Sequence, residues 1–158
     1  MRLGSFVAVR AATVALGMTF ATSSAKAEGS SAVYDQNCSI CHQKAGAGVP
    51  GSFPHLAGRA GALAALPLGR AAMISAALFG MSGKLQVDGQ PVVGLMPAFG
   101  QLSDAEISEA LNYVAHLDGR TPRVFTPAEV AAVRARPALT PAQVNLLARD
   151  PVLTRAAP

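Results

Sequence analysis

Cysteine is nearly missing from this chain. Only Cys38 and Cys41 occur among 158 residues. If that pair has work of its own, no disulfide can staple the fold. A zinc site would need further Cys or His ligands at suitable spacing, and there are none. No βαβ pattern flanks the pair, so a thioredoxin-like redox motif lacks its setting. Trp is absent, and only 14% of residues are charged, while 51% are hydrophobic. That is enough for one small core. Beyond the first 27 residues no apolar run is long enough to span a bilayer.

Those first residues read as an export signal, 1–27. Arg2 and Arg10 give it a basic start, Ala11 to Ala21 form a short apolar run, and Ala25-Lys26-Ala27 offers a cleavage site. The mature chain then begins at Glu28 with no transmembrane segment, and a bacterial periplasmic location is expected. The formal charge of +4 is partly a property of this signal. Without Arg2, Arg10 and Lys26 the balance is ten basic against nine acidic residues, or +1. Nucleic-acid binding gains no support from that.

The two cysteines sit in Cys38-Ser39-Ile40-Cys41-His42, which reads C-x-x-C-H. This is the attachment signature of a c-type haem. Each thiol adds across one vinyl group, and the two-residue gap on a helical turn sets both sulfurs against one porphyrin edge. The adjacent His42 supplies the proximal ligand. One such motif implies one covalent haem, haem c with its iron, and argues against di-haem peroxidase chemistry.

Around the motif the chain reads as helices and loops. A helix is expected from Ser30 to Cys41, on the spacing of Val33, Tyr34, Cys38 and Cys41. Residues 45–52, rich in Gly, form a loop. Arg70 to Phe79 is a second helix stopped by Gly80. Leu85 to Val92 alternates about Asp88-Gly89 and predicts a short hairpin, weakened by Pro91. Ser103 and Glu106 form a capping box for a helix ending near Leu117, with Leu102 and Ile107 as its staple. Further on, Phe125-Thr-Pro-Ala-Glu-Val130 is echoed by Leu139-Thr-Pro-Ala-Gln-Val144. Each copy starts a capped helix with Pro at its first position, and Pro137 and Pro151 are read as terminators.

In this order the motifs resemble class I cytochrome c over roughly residues 30–118. The carriers of the resemblance are Tyr34, the C-x-x-C-H, Pro54-x-Leu56-x-Gly58, Met96 and Tyr113. It implies an all-α helical fold around one covalent haem, here with a short hairpin and two extra C-terminal helices. The domain order becomes signal 1–27, cytochrome domain 28–118 and helical extension 119–158. The resemblance also implies that the Pro54 carbonyl accepts a hydrogen bond from the His42 ring, and that Tyr34 meets Tyr113 where the first and last helices cross.

Met96, between Gly94 and Pro97, is the favoured distal ligand, and Met81 in a Gly-Met-Ser-Gly loop is its rival. Met73 falls on a helical apolar face, Met18 leaves with the signal, and His55 and His116 read as surface residues. With His42 and Met96 both bound, iron has no open position, and the remaining chemistry is outer-sphere electron transfer. The leading expectation is a periplasmic monohaem one-electron carrier between a dehydrogenase or respiratory donor and an oxidase or cytochrome acceptor. A haem subunit of a dehydrogenase or oxidase complex is the second reading. A haem enzyme or gas sensor with an open distal site is the third.

One charge asymmetry stands apart from the motif. Residues 28–118 carry four basic and seven acidic side chains, whereas 119–158 carry six arginines against Glu129 and Asp150. The extension is therefore expected to be a folded cationic appendage resting on an acidic surface, either its own core or a partner.

Overall fold

The computed structural model describes residues 31–120 and 122–156, together with Met1. The expected export signal otherwise lies outside the described residues. The chain enters through α1 (Ser31–Asn37) and α2 (Ser39–His42). These nearly continue one another, because Cys38 N–H donates to the Tyr34 carbonyl and His42 N–H to the Cys38 carbonyl. A looped stretch follows, then α3 (Ala60–Ala64) and α4 (Pro67–Phe79). α3 escaped the sequence reading because Gly58 and Gly61 look like loop residues. Gly61 is small for a packing reason: a β-carbon there would lie 2.8 Å from the Ala115 carbonyl oxygen.

The hairpin is longer than expected. β1 (Met81–Val87) and β2 (Gln90–Met96) pair antiparallel in register, Met81 opposite Met96, around Asp88 and Gly89. Both turn residues have positive φ, 51° and 73°, as a two-residue hairpin turn of this hand requires. Pro91 is tolerated because this sheet has two strands only, so each strand is an edge. Met96 is therefore the last residue of a strand, and the chain leaves the sheet at Pro97. The architecture is helical with a small two-stranded sheet.

α5 (Asp104–Ala115) has its capping box in place: Ser103 accepts from Glu106 N–H, and Glu106 accepts from Ser103 N–H. Ile107, Leu111 and Ala115 on α5 join Ile74 and Leu78 of α4 in the main core. α5 also crosses α1, where Tyr34 and Tyr113 stack at 4.9 Å between centroids, tilted by 41°.

The C-terminal region folds into α6 (Pro127–Arg134), α7 (Pro141–Ala148) and α8 (Pro151–Ala156). Both Thr-Pro capping boxes form. Pro151, read as the terminator of α7, lies just beyond that helix and also opens α8, so the region holds three helices where two were expected. Asp150 accepts from Val152 N–H at 2.8 Å, and Pro at a first helical position has no N–H to leave unsatisfied. The same Pro thus reads as a stop for α7 and a start for α8.

This region packs on the protein's own core. Phe125 (2% exposed) and Val130 (0%) belong to the same apolar cluster as Ile107 and Leu111. α6 lies on α5, α7 on β1 and α4, and α8 on α3. Arg70 of α4 is buried and holds the junction. It bonds both carboxylate oxygens of Glu129 at 3.0 and 2.7 Å, donates to the Arg123 and Val124 carbonyls, and lies 3.8 Å over the Phe125 ring. Arg134 pairs with Asp104 at 2.8 Å and donates to the Gly100 and Leu102 carbonyls. Arg134 on Asp104 sets an extension arginine on an acid of the first turn of α5, whereas Arg70 to Glu129 runs the other way, a core arginine on an extension acid.

Candidate haem site

The site begins with a strained turn. Immediately after His42, Gln43 adopts φ 59°, ψ 169°, and Ala45 φ 53°. Non-glycine residues in such regions cost about 1–3 kcal/mol and persist only when their surroundings hold them. Tyr34 is the holder here: its hydroxyl donates to the Gln43 carbonyl at 2.6 Å. Burial, reinforced by Cys38, pushes the Tyr34 pKa up to about 12, so this hydroxyl keeps its proton. The result is that α2 stops abruptly at His42 and the chain turns away beneath it.

His42 is buried, and its Nδ1–H donates to the Pro54 carbonyl at 2.8 Å. A carbonyl can only accept, so the proton sits on Nδ1 and Nε2 is left with a free lone pair. Burial lowers the His42 pKa, with the Pro54 contact opposing it. Burial thus favours the neutral ring, and the Pro54 contact fixes its orientation.

Two adjoining clefts, about 120 and about 230 Å³ in volume, share Cys38, His42, Pro54, Met81, Leu85, Met96 and Phe99 in their walls. They are two parts of one opening between the Cys-containing helices and the hairpin. Cys41 and Phe53 wall only the outer part; Tyr34, Met73, Leu111 and Val114 wall only the inner part. The thiols of Cys38 and Cys41 are both free. Burial raises the Cys38 thiol to about 11, followed by the effect of Cys41.

The hairpin register decides what faces these groups. Directly paired residues project to the same side of a sheet, so Met81 and Met96 present both thioethers to the opening. Gly83 opposite Gly94, and Leu85 opposite Val92, continue that face. The residues fit a c-type haem on three counts. A close cysteine pair and an oriented imidazole stand on one wall, soft sulfur donors stand on the other, and the lining is apolar. Among the described residues no cluster of three or more acidic, Cys or His side chains forms a separate metal site.

The structure thus brings Cys38, Cys41, His42, Pro54 and Met96 to one opening, with Met81 and Met73 also in its walls. His55 lines the inner part as well and is only half-exposed; its Nε2 meets Asp88 at 2.7 Å and its Nδ1 the Ala57 carbonyl at 2.8 Å. His116 lies away from the opening and bonds the Asn112 carbonyl. The sequence reading missed Arg59, Leu85, Phe99, Asn145 and Leu153 among the lining residues. Only Leu85 carried a signal, its place in the hairpin alternation.

Comparison with known proteins shows the family. Residues 25–114 match the family described as cytochrome c oxidase, cbb3-type, subunit III. One cytochrome c-552 of Thermus thermophilus is 41% identical over 125 residues, covering 76% of this chain and 82% of the relative. A second Thermus thermophilus cytochrome c-552 is 41% identical over 117 residues, covering 71% and 88%. This chain belongs to the c-type cytochromes. Cytochromes of this family hold haem c covalently through cysteine thioethers and use its iron to carry electrons. The 125-residue match is longer than the 90 residues of the family region, so similarity runs beyond the segment that ends at Val114. Among the described residues of this cytochrome no helix is long and apolar enough to cross a membrane.

Proposed function

We propose that this cytochrome is a periplasmic, monohaem, class I carrier in which Cys38 and Cys41 form the thioethers and His42 and Met96 are the axial ligands. One observation carries the reading: an imidazole locked by Pro54 faces paired methionine thioethers across an apolar opening walled by both cysteines. Met96 is preferred to Met81 because Pro97 fixes the chain that leaves it, and because it stands in the Gly-x-Met-Pro context that the class resemblance favours. The iron, when bound, supplies a one-electron couple that a neutral sulfur ligand biases toward the ferrous state.

The chain's own residues do the rest. Pro54 keeps the His42 ring from rotating. Tyr34 holds the turn that presents it. Leu85, Phe99 and the α5 residues Leu111 and Val114 exclude water, so little solvent reorganises on transfer. Donor and acceptor are then redox proteins that reach the haem edge.

The description of the matched family favours a second reading, a haem-bearing subunit of a terminal oxidase. Co-purification of an oxidase with the native protein would establish it. Visible spectra of the reduced and oxidised protein test the main reading. A six-coordinate low-spin spectrum with a far-red sulfur-to-iron band is expected. Carbon monoxide binding to the reduced protein at neutral pH would instead reveal an open distal site and overturn it.

A further inference from the structure

Asn145 is the polar residue in the opening that the reading above leaves without a task. It lies on α7, is 5% exposed, and lines the outer cleft beside Met81 and Met96. Among the described residues nothing hydrogen-bonds its side-chain amide. Every side-chain polar atom fully sealed among those residues has a partner, so the amide is not sealed by protein and faces the cleft. An amide that deep without a partner is costly, which points to a group that arrives with the cofactor.

Its position narrows that group. A β-carbon placed on Gly83 would lie 3.6 Å from Asn145 Oδ1. Gly83 pairs with Gly94, one same-face step from the Met81–Met96 pair. The two glycines leave a window on the hairpin face, and the amide lies against it in the same cleft that Met81 and Met96 line. The acceptors a bound haem brings are its propionates, the two cysteine thioethers and the sulfur of its axial methionine. The cysteines stand on the opposite wall. The inner cleft holds Arg59 and His55, whose N–H groups suit propionate oxygens although both also contact Asp88, and Asn145 is absent from it.

We propose that Asn145 Nδ2–H donates a hydrogen bond to the axial methionine sulfur, which makes Asn145 a positioning residue supplied by the C-terminal region. The proposal rests on the reading of Met96 as ligand. Methionine sulfur is a weak acceptor. A donor on it draws electron density from the iron–sulfur bond and favours ferrous over ferric iron. It also selects one orientation of the methionine side chain. The C-terminal helices then tune the redox centre as well as stabilising the fold.

The test uses the holoprotein with Asn145→Leu, which keeps the volume and removes the donor, and Asn145→Ala, which cannot crowd the cleft. Val144→Ala serves as a purely structural control on the same helix, since Val144 is 0% exposed. Both Asn145 variants should lower the midpoint potential and displace the far-red band, while Val144→Ala lowers thermal stability and moves neither. If Asn145 variants leave potential and band unchanged while Met96→Ala abolishes the band, the proposal is wrong and the ligand reading stands. If they change only the pH dependence of the potential, the amide serves a propionate and the proposal is equally wrong. A band that survives Met96→Ala overturns the ligand reading itself, a result separate from the one at Asn145.

Discussion

The two walls of the haem opening are built in different ways. The His42 wall is local: Tyr34, Cys38, Cys41, His42 and Pro54 lie within 21 consecutive residues. Its key bonds, Tyr34 to Gln43 and His42 to Pro54, span nine and twelve residues. The methionine wall is assembled from distant segments. The hairpin supplies Met81 and Met96, and α7, about fifty residues later, covers it with Asn145. A local wall can be encoded in one motif. A composite wall depends on whatever fastens its parts, here Arg70 and the core around Phe125 and Val130. The cysteine-bearing wall should therefore tolerate damage to the C-terminal region, and the methionine wall should not.

Removing the cofactor removes the contrast altogether and has the largest effect expected. With Cys38 and Cys41 both replaced by Ala, mass spectrometry should find no haem retained after denaturation. The chain should also lose cooperative thermal unfolding, because a group bound only by the native state contributes its binding free energy to folding. A cooperative melt matching that of the holoprotein would show that the walls hold each other without haem.

Cutting the fastening separates the walls. Arg70→Ala leaves Glu129 without its buried partner and uncaps the Arg123 and Val124 carbonyls. Glu129 is 25% exposed and keeps Arg123 as a partner, so losing the charged hydrogen bonds of Arg70 costs about 1.5–3 kcal/mol. Chemical denaturation should show that loss, and the far-red band should fade at lower denaturant than the helical signal. Coincident transitions would mean that the two walls are one cooperative unit.

Ligand replacement probes the methionine wall from within. Met96→Ala should abolish the far-red band and lower the potential, while Met81→Ala should keep the band. The opposite pattern transfers the ligand to the first strand of the hairpin.

On the local wall, Tyr34→Phe removes one hydrogen bond to a strained carbonyl and should cost about 1 kcal/mol. The potential should stay unchanged, since Tyr34 acts on the turn and does not touch the opposite wall. A shifted potential would show that the turn sets the geometry of the imidazole.

The same fastening has a signature in pH. Arg70, with Arg123 and the Thr126 N–H also contributing, holds the Glu129 carboxyl at about 2 against an ordinary value of 4.5. Its folded pKa is depressed, so its contribution is fully present above pH 4.5 and is lost as pH falls toward 2. Acid titration of the melting temperature should show that loss, and Glu129→Gln should flatten the titration over the same window. An unchanged profile would mean that Glu129 is not what the acid breaks.

Chemistry and local form are legible in the residues alone. Cys38, Cys41 and His42 name the cofactor because their spacing is the requirement of the reaction that attaches it. Ser103, Thr126 and Thr140 mark helix starts because caps are satisfied by the next three residues. Asp88-Gly89 marks the turn because few residues accept positive φ. Long-range packing settles the rest. The helix over Ala60–Ala64 was hidden because its small residues are there for contact with α5, and local pattern does not report contact. Pro151 was read only as a stop because a proline after a capping residue can both end one helix and begin another, and the packing of Leu153 against the interior adds the second role. The Met81–Met96 pairing, the burial of Arg70 and the arrival of Asn145 over the hairpin are all contacts between distant segments. Such contacts are fixed by the way the whole chain shares one core around the haem opening, which no short stretch of sequence contains.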